Sequence, residues 1–334
     1  MTMATSHSET LEAFGYTREE AHFLYLVATH SGYFMARQFL AFTGAQRGKR
    51  STLFRAKLQA NKHARTECFP KHGVVYHVFA RKLYRHLGRE NLRNFREHEI
   101  EYIQRRLAML DFVLAHRHLD YLETEQEKCR YFEQIRGIAP HHFPSKTYHG
   151  HADSQPVVRC FGDRFPVYLD SLVSPPVVTF SFIQPAEANL AEFVRHLKTY
   201  FPLFRELAAF RFLYLARTEA HFTKAREQFD SLVTIRLGVN PADDLLRYFR
   251  VRKAWDDCQY HALSEADLIF RNRAKRRFGA PRFDEMYGTW KIGRTTDAQV
   301  REELQGSGTR HDVQFESRLL AAVGANGSEA GRNR

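Results

Sequence analysis

Arg47, Lys49, Arg50, Arg55 and Lys57 crowd the start and outer face of a segment whose apolar positions Leu53, Phe54 and Leu58 recur at helical spacing. Cations placed this way suit one chemistry above others, the neutralisation of phosphate oxygens and the bidentate reading of guanine in the major groove. Arg37, Lys62, Arg65, Lys71, Arg81, Lys82, Arg85 and Arg89 complete a run over residues 32–89 that faces Glu67 as its only acid. Its surplus equals the +12 net charge of the whole chain. Double-stranded DNA is the partner this predicts, and a merely solvated basic face is the plain alternative.

Other chemistries are weakly represented. The chain has 18 histidines, and His141, His142, His149 and His151 gather around one loop. Their spacing fits no familiar zinc pattern, and Pro140, Pro144, Gly150 and Pro156 mark the loop as irregular and exposed. No metal is expected there. Asp163, Asp170, Glu187 and Glu123 read as turn, cap or surface residues. Neither G-x-S-x-G, a phosphate-cradling G-x-x-x-x-G-K-[ST] nor a G-x-G-x-x-G after a strand occurs, so no cofactor is expected. Cys68, Cys129, Cys160 and Cys258 stand far apart without a C-x-x-C pair and read as packing residues.

The elements that must position the basic residues can be read in turn. Thr17-Arg18-Glu19-Glu20 has the form of a capping box and predicts a helix from Arg18 to His30, ended by Ser31-Gly32. Tyr33-Phe34 is extended, Met35 to Phe42 a short helix, and Gly44 supplies a positive-φ corner. A third helix follows from Lys49 to Ala60. Ala64 to Cys68 and Val74 to Phe79 then alternate as strands around the turn Phe69-Pro70-Lys71-His72-Gly73. In this order, residues 11–89 resemble a winged helix-turn-helix DNA-binding domain. The resemblance implies that Arg37, Arg47, Lys49, Arg50, Ser51, Arg55 and Lys57 contact DNA from the helices, and Lys71 and His72 from the wing.

Residues 90–236 read as an α/β domain. A long helix is expected over 90–116, followed by alternating strands and helices that include strands at Val177 to Ile183 and Phe210 to Leu215. His98 within that helix, Tyr121-Leu122-Glu123-Thr124-Glu125, Phe143-Pro144-Ser145 and the run Val177 to Tyr200 are similar to the replication-relaxation family of mobile-element proteins. That family joins a winged helix to a restriction-endonuclease-like fold. The likeness implies a role in plasmid replication or DNA relaxation. Ser145 after Pro144 and the acid-free strand Thr179 to Ile183 lack the Mg²⁺ ligands of a nuclease, so the fold is expected to be degenerate and the protein no enzyme.

Residues 240–293 form a second basic, helical region, expected either to hold flanking phosphates or to dock on the protein's own acidic surface. From 295 to 334 the chain is expected to be largely disordered. No apolar run reaches membrane-span length and the N-terminus lacks a secretory pattern, so a cytoplasmic protein is expected, with a homodimer as one further expectation. A transcriptional regulator with a ligand-sensing or dimerising second domain is the runner-up, and a metal-dependent nuclease the rival of another class.

Overall fold

The computed structural model describes residues 11–45, 48–69, 73–148, 157–170, 176–184, 189–237, 242–279, 281–305 and 311–323 of a mixed α+β protein. Helix α1 (Arg18–His30) begins where the capping box requires. The Glu20 amide donates to Thr17 Oγ1 at 3.2 Å and the Thr17 amide to Glu20 Oε2 at 2.8 Å. Strand β1 (Tyr33–Met35), helix α2 (Ala36–Thr43), helix α3 (Lys49–Ala60) and strands β2 (Ala64–Phe69) and β3 (Gly73–Val78) follow in the expected succession. Both pairings are antiparallel, and the sheet order is β1-β3-β2.

Aromatic packing closes this unit. Phe39 stacks on Phe54 at 4.1 Å, while Phe23 meets Phe34 and Phe39 near-perpendicularly at 5.2 Å. Gly44 ends α2 at φ +64°. Gly32 is demanded twice over, by φ +84° and because a Cβ there would stand 2.2 Å from the backbone oxygen of Asn94.

The helix expected over 90–116 starts only at Ile100. Helix α4 (Arg81–His86) and a 3₁₀ turn at Glu90–Leu92 come first, and α5 spans Ile100–Ala115, so His98 precedes the helix. Two causes interrupt it. Asn94 is drawn away to the end of α1, where its Nδ2 donates to the carbonyls of Ala28 at 2.7 Å and Thr29 at 3.0 Å. Arg93 takes φ +57°, which a right-handed helix excludes.

Beyond α5 come β4 (Asp120–Tyr121), helix α6 (Glu125–Arg130) with a π turn to Ile135, and a ribbon of β5 (Ser145–Tyr148) and β6 (Val157–Cys160). Strands β7 (Val167–Asp170) and β8 (Val177–Ile183), helix α7 (Ala191–Arg205), strand β9 (Ala209–Ala216) and helix α8 (Phe222–Phe229) complete this part. The Pro144-Ser145 pair therefore opens the separate ribbon rather than a strand of the main sheet.

Two corrections concern the C-terminal third. Helices α9 (Ala242–Asp256), α10 (Glu265–Arg277), α11 (Pro281–Lys291) and α12 (Asp297–Gln305) bury their own apolar cluster, which includes Leu246, Phe249, Phe283, Tyr287 and Val300. The helical unit thus extends past residue 295. Strand β10 (Asp312–Leu319) then returns to pair in parallel with β9, giving the order β10-β9-β8-β7-β4. Residues expected to be disordered instead form a helix and a sheet edge, because Val313 and Phe315 alternate inward along β10 and reach the main core. Residues 306–310 and 324–334 of that stretch lie outside the described residues.

That core is continuous from Leu11 to Leu320, so packing does not break at residue 89. Among the described residues, no helix is long and apolar enough to cross a membrane.

A buried carboxylate on α5 joins the units. Asp111 accepts from Arg37 Nη1 at 2.6 Å and Nη2 at 2.9 Å, from Gln38 Nε2 at 2.8 Å and from Arg217 Nη2 at 3.4 Å. Replacing Asp111 with Ala should cost about 3 kcal/mol or more in urea unfolding, because Arg37 would be left without its anion. The exposed Glu133→Ala should change stability by less than about 0.5 kcal/mol. Equal effects would remove Asp111 from its structural role.

Candidate nucleic-acid interface

Helix α3 buries Ser51, Phe54 and Leu58 and leaves Lys49, Thr52, Leu53, Ala56 and Gln59 exposed. Leu53, expected inside, is 51% exposed. Adjacent helical positions differ by about 100°, so a face centred on Phe54 and Leu58 has no room for it. Beside the helix lies the β2–β3 hairpin, joined to it where Arg55 Nη1 donates to the Tyr76 hydroxyl at 3.1 Å. Arg55 also donates to the Ser51 carbonyl and to Thr52 Oγ1, both at 3.2 Å.

The expected contact residues fall into distinct groups. Lys49 is exposed and has no protein partner among the described residues. Arg50 is exposed but pairs with Glu19 in the first turn of α1, and Lys57 Nζ donates to Glu20 Oε2 at 2.7 Å. Ser51 is buried, its hydroxyl turned to the Gly48 carbonyl, so it is not a surface contact. Arg37 is likewise withdrawn, committed to Asp111 and to the carbonyl of Val323 at 2.8 Å. Arg47, Lys71 and His72 lie outside the described residues.

Acids answer much of the basic run, most of them from outside it. Arg65 pairs with Glu67 at 3.0 Å and Glu97 at 2.6 Å, Arg85 with Glu90 at 3.3 Å, and buried Arg89 with Glu123. Among the described residues, no carboxylate pairs with Lys49, Arg55, Lys62, Arg81 or Lys82. The second basic region behaves the same way within its own helices. Arg247 pairs with Asp267, Arg250 with Asp297 and Arg252 with Asp284.

A polar cluster that sequence reading treated as a turn lies under the main sheet. Asp163 Oδ2 stands 2.8 Å from His196 Nδ1, and Tyr200 donates to Asp163 Oδ1 at 3.0 Å. Burial works to raise the Asp163 carboxyl, but His196 and the nearby Lys128 hold it below the usual range. Lys128 is itself buried, donates to the Phe165 carbonyl at 3.2 Å, and is pulled down to about 8 by desolvation. His196 and Tyr200, one turn apart on an otherwise apolar helix face, were the available signal. Among the described residues, no group of three or more His, Cys, Asp or Glu could hold a metal ion. The His141 and His142 rings lie 4.0 Å apart, tilted by 42°, while His149 and His151 lie outside those residues.

No family model, curated protein or solved structure matches this chain.

Two histidines sit beneath the α3 and hairpin face. His63 Nδ1 is 2.9 Å from the Tyr16 hydroxyl, and His77 stacks on Tyr33 at 4.3 Å. Burial holds both imidazoles down, to about 4. The unfolded chain takes up these protons near pH 6.5, so the stability they carry is complete above 6.5. It is lost as pH falls towards 4. Unfolding at pH 4.5 should therefore be easier than at pH 7 by on the order of 2 kcal/mol per histidine. His77→Phe should flatten this acid limb, and an undiminished limb in a His63→Phe/His77→Phe protein would assign it to other groups.

Proposed function

We propose that this chain binds double-stranded DNA through a winged helix-turn-helix over residues 11–89, with α3 as recognition helix and β2–β3 as wing. The observation that carries the reading is the uncovered α3 face headed by Lys49, set beside the hairpin by Arg55 and Tyr76. A helix offered this way fits the major groove, and its start is the end that reaches base edges. The Arg50–Glu19 pair is exposed, and exposed ion pairs are weak, so phosphate oxygens can compete for Arg50, whereas Lys57 answers the buried Glu20.

With α6 and the β5–β6 ribbon inserted between β4 and β7, the main-sheet run α5, β4, β7, β8, α7, β9 supports a degenerate restriction-endonuclease-like second unit: a helix, three antiparallel strands, a crossover helix and a parallel strand. Its strand Thr179-Phe180-Ser181-Phe182-Ile183 carries no carboxylate, and Asp170 at the end of β7 is held by Arg211 at 2.5 Å. The role is accordingly non-catalytic, in replication or relaxation of a plasmid or mobile element, or in its regulation.

Lys49→Ala/Arg50→Ala should weaken duplex binding by roughly 2 kcal/mol, about 30-fold, in fluorescence anisotropy. For the unaltered protein, log K should fall against log[salt] with a slope of magnitude about 4 or more, at about 0.9 per phosphate. Unchanged affinity in the double variant would move the interface off α3. Supercoiled plasmid incubated with protein and Mg²⁺ should stay intact; nicking abolished by Asp163→Ala or Asp170→Ala would replace this reading with a nuclease.

A further inference from the structure

Where the first unit meets the main sheet, two guanidinium groups share one neutral acceptor. Arg106 Nη2 donates to Asn94 Oδ1 at 2.8 Å, and Arg164 Nη1 donates to the same oxygen. Arg106 is buried, its Nε bound to the Ser31 carbonyl at 3.0 Å and its remaining neighbours the Met109 sulfur at 3.6 Å and the Tyr102 ring at 5.7 Å. Among the described residues no carboxylate touches either arginine. A buried cation without an anion is costly, and proteins ordinarily supply the counter-charge.

The backbone adds an independent sign. Among the described residues five non-glycines take positive φ, and two of them adjoin Asn94: its chain neighbour Arg93 at +57° and its hydrogen-bond partner Arg164 at +58°. Such strain persists only where the surroundings enforce it, and it clusters at ligand-holding sites. Arg93 is exposed, with no partner among the described residues, and its charge, like that of Arg159, presses on Arg164. Arg159 is itself answered by Glu125 at 3.2 Å, which leaves Arg93 and Arg164 as the uncompensated pair.

We propose that Arg93 and Arg164, backed by buried Arg106, bind a phosphate oxoanion at this junction. A guanidinium fork matches the tetrahedral oxygens of phosphate, and an anion bound there would balance the buried charge of Arg106. The chemistry is shared by two sources, the phosphodiester backbone of DNA and a small phosphate compound. Only the first rests on the DNA-binding reading.

The test uses the full chain and its Arg93→Gln and Arg164→Gln variants. Thermal unfolding is followed in inorganic phosphate and in chloride at equal ionic strength. The general salting effect of phosphate is common to all three proteins, so the readout is the part the variants lose. Phosphate should raise the melting temperature of the unaltered protein by about 3 °C or more above chloride, and each variant should lose most of that gain. Exposed Arg93 keeps the test valid should Arg164→Gln not fold. A gain equal in all three proteins overturns the site.

Duplex titrations then separate the sources. A salt slope smaller by about 1 in each variant assigns the site to the DNA backbone. Unchanged DNA binding together with the lost phosphate gain assigns it to a small phosphate compound. A protein that binds no duplex but keeps the phosphate effect retains the site and overturns the DNA reading.

Discussion

Helix α5 carries two buried charges of opposite sign, and the arrangement of the units around it follows from satisfying them. Asp111 draws Arg37 and Gln38 from α2 and Arg217 from the end of β9, while Arg106 draws the Ser31 carbonyl and the Asn94 side chain. Gln38 also donates to the Leu107 carbonyl at 2.9 Å. An unanswered buried charge costs several kcal/mol, so a first unit turned or shifted on α5 would forfeit more than apolar packing alone could restore. Glu123 makes a second tie, accepting from Tyr25 and Arg89 and lying 3.7 Å from His30. The first unit is therefore locked to the sheet by charge as well as by a common core.

The same locking reshapes the electrostatics. Residues 32–89 are overwhelmingly basic as a sequence window, yet Glu19, Glu20, Glu90, Glu97, Asp111 and Glu123 all come from outside that window to meet its cations. What remains for a polyanion is narrower than the composition suggests. It centres on Lys49 and the exposed α3 stripe, with further cations along α4. The stripe is also less polar than its sequence implies, since Thr52, Leu53 and Ala56 stand on it. Side chains of this kind suit thymine methyl groups, whereas the basic residues flank them.

The sheet owes its completeness to a long excursion. Between β9 and β10 the chain passes through α8 and then through four helices with a separate apolar cluster before returning. The pairing of β10 with β9 runs from Asp312↔Ala209 to Leu319↔Ala216. It covers what would otherwise be an open edge on a strand rich in aromatic residues. Phe315 stacks on Phe212 at 6.1 Å and meets the tilted ring of Phe229 at 4.8 Å, which binds the returning strand to both sheet and helix.

Local signals were legible in the sequence wherever backbone chemistry is local. The Thr17 capping box, the Gly44 corner, the strand Val177–Ile183 and the hairpin β2–β3 all stand where residue type and periodicity put them, because caps, turns and alternation act over a few residues. The alternating Val313 and Phe315 also announced a strand, hidden by a polar neighbourhood. Partnership was not legible. Which acid answers Arg37, why Asn94 breaks the helix before α5, and how Asp163 meets His196 and Tyr200 depend on segments dozens of residues apart. Only tertiary packing brings those groups within hydrogen-bond reach. Sequence alone determined most elements of the first unit and their order, while the fold decided where the helix before the sheet begins, that the tail closes the sheet, and which charges face solvent, because a buried charge must find partners wherever the chain brings them.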